Sequence, residues 1–193
     1  MKEIAETIQY NIRREIENAQ KNKQCLLVAI DGRCASGKTT LAKCLQKIYG
    51  CDVIHMDHFF LRPEQINEQR LSEPGGNVDY ERFLDEVLLP LKNKKSFAYR
   101  PYDCKKQEMT EAIPIKQNTI TLIEGSYCCH PKLFEHYDVK IFLTVNEKKR
   151  IERIKARNGE AGCIQFRDKW IPLEECYFTA FNIEACCDYS FET

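Results

Sequence analysis

The sequence predicts an α/β domain of three layers, a mainly parallel sheet between helices, with a small helical lid. Two observations carry that prediction. The run at 25–30 is apolar and uninterrupted by charge, as suits a strand buried on both faces of a parallel sheet. Further strand candidates at 52–56, 119–123 and 139–145 alternate with helix-period segments, and such alternation implies right-handed crossovers onto one sheet. The 193 residues suit one domain with a lid, long enough to bury a core without disulfides or metals.

In chain order, Ile4, Ile8, Ile12 and Ile16 recur at steps of four among charges, an amphipathic helix over about 2–21 that covers one side of the domain. The first strand follows, then Asp31, Gly32 and a switch to helix at Lys38, with a helix over 39–49. The second strand runs into Met56, Asp57, His58, Phe59 and Phe60. Pro74, Gly75, Gly76 and Asn77 form a loop by turn chemistry. Over 80–91, Phe83, Leu84, Val87, Leu88 and Leu91 share one side of a helix. The third strand ends at Glu124 and Gly125, and the fourth is 139–145. A basic helix covers 148–157, and a two-glycine stretch at 158–166 reads as a mobile loop within a lid at about 148–171. An apolar-aromatic helix over 173–183 and a last strand at 188–191 complete the chain, without internal repeats.

Lysine plus arginine and aspartate plus glutamate number 29 each. That neutral balance argues against a protein whose task is gripping nucleic acid or anionic membrane. No apolar run approaches the ~20 residues of a membrane-spanning helix, and the first twenty residues lack the apolar core of a signal peptide. The expectation is a cytoplasmic protein with a small-molecule partner, no nucleic acid and no membrane, with homo-oligomerisation left open. The eleven cysteines are odd in number and contain no Cys-x-x-Cys pair, so they read as reduced thiols in apolar slots. Neither the histidines beside Asp57 nor Cys128-Cys129-His130 has structural zinc spacing. Lys43, Lys47, Glu174 and Glu175 read as solvated surface.

The chemistry enters at Gly32-Arg33-Cys34-Ala35-Ser36-Gly37-Lys38-Thr39, which matches G-x-x-x-x-G-K-[ST] between a buried strand and a helix. The fold expected is therefore of the P-loop NTPase type, with ATP and Mg²⁺ as its cofactors. The glycines let consecutive N–H groups face a phosphate at the positive end of the next helix. Gly32, Ala35, Ser36, Gly37, Lys38, Thr39 and Thr40 are thus the candidate nucleotide-binding set. Lys38 supplies charge to the β/γ-phosphates and Thr39 a hydroxyl to Mg²⁺. No N-K-x-D base-reading motif of a GTPase is present.

Two carboxylates stand at strand ends. Asp57 follows the second strand, where a side chain points into the ligand crevice; there it would take a proton from a substrate hydroxyl or orient a metal-bound water. A cap or turn role reads equally well from the residues alone. Glu124 ends an apolar strand in the manner of a Walker B acid, a Mg²⁺ ligand directly or through water, with a solvated strand end as the alternative. Arg150, Arg153 and Arg157 share one helical face by their steps of three and four, and guanidinium groups grip phosphate bidentately. On spacing alone, a solvated basic face is the commoner outcome.

The ordered set 32–40, Met56-Asp57-His58-Phe59-Phe60, 77–83, Tyr102-Asp103, Ile123-Glu124-Gly125 and 150–157 resembles uridine kinases. More broadly it is similar to the uridine kinase, phosphoribulokinase and pantothenate kinase group, over residues from about Cys25 to Phe178. The resemblance implies a nucleoside kinase that forms a 5′-monophosphate. It implies Asp57 as the catalytic aspartate, which also helps hold the metal, and Asp79 on the sugar hydroxyls. Tyr102 would lie against the base, Glu124 with Thr39 at magnesium, and Arg150, Arg153 and Arg157 on the transferring phosphoryl group. The chain departs from the pattern at Gln107, where those enzymes usually have a base-reading histidine, and in the extra Tyr99-Arg100-Pro101. Different donor patterns select different partners. A kinase for another alcohol such as pantothenate, a P-loop switch presenting its N-terminal helix to a partner, and a catalytically silent relative all remain open here.

Overall fold

The computed structural model describes residues 1–22, 25–93, 96–116 and 118–193. Its strands are β1 (Leu26–Gly32), β2 (Asp52–His55), β3 (Phe97–Tyr99), β4 (Tyr102–Asp103), β5 (Glu108–Met109), β6 (Ile113–Ile115), β7 (Ile120–Glu124), β8 (Val139–Thr144) and β9 (Tyr189–Glu192). Five of them form one sheet in the order β2-β7-β1-β8-β9, and every neighbouring pair is parallel. This is the mainly parallel α/β sheet that the sequence predicts.

Alternation along β1 explains the layers. Leu26, Val28 and Ile30 face one apolar cluster, while Leu27 and Ala29 face another, because successive side chains of a strand point to opposite faces. β8 repeats this, with Val139, Ile141 and Leu143 on the first face and Phe142 on the second. Both faces are covered, so the strand is apolar throughout rather than alternating. The first cluster is closed by α1 (Lys2–Asn11), α2 (Arg13–Lys21) and α3 (Lys38–Tyr49) through Ile8, Ile12, Leu41 and Leu45. The second is closed by Phe83, Val87, Leu88, Tyr177 and Phe178.

Four expectations need correction. The N-terminal helix is two, broken at Ile12 (φ −95°, ψ 8°), with Ile8 and Ile12 both buried in one apolar layer. The helix beginning at Tyr80 widens to a π-helical turn over Leu84–Leu88. Pro90, just beyond, has no N–H to give the preceding turn. The stretch expected as a lid loop is helical on both sides of a kink: Gly159 (φ 71°, ψ −177°) divides Glu147–Gln165 into two helices. Cys163, beyond that break, is buried against Cys34 and Ile154, and this packing holds a helix where composition suggested a loop. Finally, β3 with β6 and β4 with β5 form two small antiparallel pairs where the sequence indicated no strands.

All eleven cysteines are free thiols. Cys128 and Cys129 lie buried with Asp31, their ligand atoms within 4.8 Å of one another. Asp31 is already committed, however, accepting from the N–H groups of Gly32, Tyr127 and Cys129 and from the Tyr177 hydroxyl. Burial holds its pKa up at about 6.

His130 is a structural group. Its Nδ1 accepts from the Lys132 N–H, capping Pro131–Phe134, and its ring stacks on Tyr80 with centroids 4.1 Å apart. Burial lowers its pKa from 6.5 to about 4, helped by Arg70. A proton therefore binds the unfolded chain more tightly, so the stability is complete above about pH 6.5 and drains as pH falls towards 4. The expected loss over that interval is up to about 3 kcal/mol. Urea midpoints at pH 7 and pH 4.5 test this against His130→Asn, which keeps a capping oxygen and cannot titrate. An equal drop in both proteins would sink the assignment.

Candidate active site

The site begins with the loop between β1 and α3. Gly32 sits at φ 135°, and a Cβ there would stand 2.0 Å from the Leu143 carbonyl oxygen, so only glycine lets β1 run this close to β8. Ala35 and Gly37 also take positive φ, 59° and 93°, and α3 opens at Lys38. The first N–H groups of a helix have no acceptor within it, which makes this end an anion site. Lys38 Nζ donates to the carbonyls of Gly32 (2.7 Å) and Arg33 (3.0 Å) and to Ser126 Oγ (3.2 Å).

A cavity of about 1010 Å³ opens where β1, β2 and β7 end. Its floor includes Ala35, Gly37, Lys38, Thr39 and Thr40. Asp57, Glu124, Tyr102 and Gln107 also line it, as do Arg153 and Arg157 from the helical segment after Glu147. Ser36 and Gly32 belong to the loop without lining the cavity; Ser36 Oγ is buried without a hydrogen-bond partner among the described residues.

Glu124 receives the Thr39 hydroxyl at 3.1 and 3.3 Å on its two oxygens. His55 Nδ1 bonds the same carboxylate, which raises the imidazole's pKa against the effect of burial. A carboxylate and a hydroxyl side by side at the phosphate loop are hard oxygen donors of the kind Mg²⁺ takes. Asp57 is solvent-exposed where it opens to the cavity. Desolvation by the protein around the carboxyl still raises its pKa, Lys38 pulls it down, and Glu124 pushes it up again. Gly125 makes the approach possible: a Cβ there would lie 2.8 Å from Met56 Cβ and 3.5 Å from Asp57 Oδ1. His58 turns away, its Nδ1 paired with the Tyr99 hydroxyl at 2.9 Å. Burial and the neighbouring His55 lower its pKa to about 4.

The lid arginines divide. Arg153 donates to the Ala35 carbonyl (3.0 Å) and to Thr193 Oγ1 (2.9 Å). Arg157 lies over the Phe166 ring, 5.4 Å from its centroid. Arg150, expected on the phosphate with them, does not line the cavity and is taken up by carboxylates. It is buried, bonding Glu174 at 2.6 Å and Glu175 at 2.7 Å.

Asp79, expected on a sugar, caps the helix at Tyr80 instead. Its Oδ1 accepts from the Arg82 N–H (3.1 Å) and its Oδ2 from Gln65 Nε2 (2.8 Å), with Arg82 Nε at 3.6 Å. It does not line the cavity. Glu174, expected on the surface, is only 5% exposed. It accepts from the Cys34 N–H (2.9 Å) and Ser126 Oγ (2.7 Å) as well as Arg150, so three donors repay its burial. Lys43 and Lys47 are exposed as expected.

The sequence reading overlooked Phe60, Asn77, Ser126, Tyr127 and Trp170, all on the cavity wall. Trp170 faces Phe60 across 6.4 Å between centroids. A lone tryptophan and an Asn two residues before a singled-out Asp were the available signals; nothing in their spacing marked them. Tyr127 takes φ 75°, a strained conformation for a tyrosine.

Solved structures with a similar fold include kinases and candidate kinases. A candidate fructose transport system kinase from Silicibacter sp. is 22% identical, with a TM-score of 0.67 over 87% of this chain and 90% of that one. A candidate uridine kinase from Bacillus stearothermophilus is 19% identical, with a TM-score of 0.65 over 94% and 99%. D-glycerate 3-kinase from Cryptococcus neoformans is 16% identical, with a TM-score of 0.64 over 90% and 88%. The fold is that of the P-loop kinases.

No family model matches the chain. Among curated proteins, the tRNA-specific adenosine deaminase subunit tad2 of Schizosaccharomyces pombe is 29% identical over 146 residues, 69% of this chain and 35% of that protein. The chain thus spans about a third of the length of that curated relative. Zinc deaminases use H-x-E with P-C-x-x-C, and this kinase-fold chain contains neither. No helix among the described residues is long and apolar enough to cross a membrane.

Proposed function

We propose that this chain is an ATP-dependent phosphotransferase acting on a hydroxyl of a nucleoside, uridine- or cytidine-like, to give the 5′-monophosphate. One observation carries the reading. A carboxylate, Asp57, opens into the same cavity as the phosphate loop, and that cavity is also lined by aromatic and apolar side chains. A hydrolytic switch needs no such lining for an acceptor.

In this reading the N-terminal N–H groups of α3 and Lys38 bind the phosphates. Thr39 and Glu124 would hold Mg²⁺, with Asp57 beside them, and the ion when bound supplies charge neutralisation at the phosphates. Asp57 orients the acceptor hydroxyl and takes its proton. Arg153 and Arg157 exclude water, the competing acceptor, from the lid side. The cations among the described lining residues, Lys38, Arg153, Arg157 and Lys169, belong to the phosphate loop and the lid region. The acceptor wall offers Phe60, Tyr102, Trp170 and the amide of Gln107. A ring-bearing alcohol suits that aromatic wall, while Lys169, 4.6 Å from the Trp170 ring centroid, is a cation at the same wall, so glycerate belongs in the acceptor panel.

The deciding experiment is a mass-spectrometric transfer assay with Mg-ATP against nucleosides, pentoses, glycerate and pantothenate. Phosphorylated uridine or cytidine is the expected product. A different phosphorylated alcohol would move the substrate and keep the chemistry. ATP consumed with no acceptor modified would overturn the reading in favour of a switch.

A further inference from the structure

We propose that Ser126 is a positioning residue for Lys38: backed by the buried Glu174 carboxylate, its hydroxyl oxygen holds the ammonium in place for the phosphates of a nucleotide. The proposal deepens the kinase reading above, in which Lys38 meets those phosphates. Ser126 stands 88 residues from Lys38 in the chain, outside the phosphate-loop motif.

The hydrogen bonds fix which way the hydroxyl points. Lys38 Nζ lies 3.2 Å from Ser126 Oγ, beside its bonds to the Gly32 and Arg33 carbonyls. An ammonium can only donate, so the serine oxygen accepts from Lys38. The single hydroxyl proton has two acceptors in range, Glu174 Oε1 at 2.7 Å and the Gly32 carbonyl at 3.1 Å. The Gly32 carbonyl already takes a Lys38 proton at 2.7 Å. Glu174 Oε1 has no other partner among the described residues, whereas Oε2 accepts from Arg150 at 2.6 Å and the Cys34 N–H at 2.9 Å. Bonds to a charged acceptor are the stronger ones. The proton therefore goes to Glu174, and the lone pairs of Ser126 are left to Lys38.

Ser126 is itself held. It lines the cavity half-buried, and both neighbours are tied to β1. Gly125 N–H donates to the Ile30 carbonyl at 3.1 Å, and Tyr127 N–H to Asp31 Oδ1 at 3.1 Å. The serine is thus set against the strand that runs into the phosphate loop. A lysine side chain has large rotamer freedom. Three acceptors at once remove that freedom on folding, so its loss does not weaken nucleotide binding. A phosphate oxygen needs only one of the three ammonium protons, and Ser126 is the acceptor backed by a negative charge.

The test is a double-mutant cycle read by calorimetric titration with Mg-ATP, without an acceptor. Ser126→Ala should weaken binding roughly 10-fold, the lower end for a hydrogen bond to a charged group. In a Lys38→Met background the same change should have less than about a 2-fold effect, because the two residues act as one unit. Ser126→Thr keeps the hydroxyl and should restore most of the affinity. If Ser126→Ala does not fold, Ser126→Cys, with its weak acceptor, takes its place in the cycle, with a smaller loss expected. An equal loss in both backgrounds would assign Ser126 to loop structure and overturn the inference. Unchanged or tighter binding would overturn it too, as would a threonine that restores nothing. A wild type that binds Mg-ATP but phosphorylates no acceptor would overturn the kinase reading alone. A wild type that binds no nucleotide would overturn both.

Discussion

Asp57→Asn is expected to leave nucleotide binding nearly intact and to lower phosphoryl transfer by about 10²–10⁴-fold, the usual worth of a positioned general base. The argument is geometric. Asp57 follows β2 into the crevice, is exposed to the cavity, and has its pKa raised by partial desolvation. The alternative role of helix cap has no support in the local contacts, since the short 3₁₀ turn Met56–Phe59 has no side-chain cap bond. An amide of the same shape keeps the packing against Gly125 but cannot take a proton. It also removes a negative charge near Glu124, so the variant should fold at least as well as the wild type. Steady-state kinetics, nucleotide titration and a melting curve on one preparation decide the matter. Equal turnover in the variant would remove Asp57 from the chemistry.

The second large effect is on stability. Glu174→Ala should cost about 3–5 kcal/mol, because it strands the buried guanidinium of Arg150. The side chains of this pair are only 5% and 6% exposed, at 2.6 Å. The same change frees the Cys34 N–H in the phosphate loop and the Ser126 hydroxyl that Lys38 also touches. Loosening of the loop should therefore accompany the fall in stability, read as weaker nucleotide binding in the fraction that stays folded. Arg150 keeps a contact to Glu175 at 2.7 Å, so the lower end of that range is the more natural outcome. Replacing both partners by apolar residues of similar volume should recover much of the loss. Urea denaturation of the single and double variants measures each term. A cost under about 1 kcal/mol for the single change would return Glu174 to the solvated surface that composition suggested.

The contrast among the arginines shows where sequence reading stops. Arg150, Arg153 and Arg157 share a helical face by spacing, and spacing is all that the sequence contains. Helix Glu147–Gln165 lies across the phosphate loop so that Arg150 meets Cys34 and Glu174, while Arg153 reaches the Ala35 carbonyl. Which of three aligned cations is buried depends on where that helix crosses its neighbours. Asp79 makes the same point: the Asp-Tyr-Glu-Arg order is compatible with a sugar ligand or a helix cap, and contacts from Gln65 and Arg82 decide for the cap.

Local chemistry was legible in the chain itself. A charge-free run with both faces apolar requires cover on both sides, so the central strands, their parallel sense and the alternating helices follow from residue order. The glycine loop is legible for a similar reason: backbone turn, helix start and lysine all lie within eight consecutive residues. Asp57 and Glu124 were legible as strand-end acids because parallel strands deliver their ends to one crevice. The aromatic pair of Phe60 and Trp170 and the burial of Glu174 were decided only by tertiary structure. Each depends on partners far away in sequence, and hydrogen bonding and burial are properties of the assembled neighbourhood rather than of the residue.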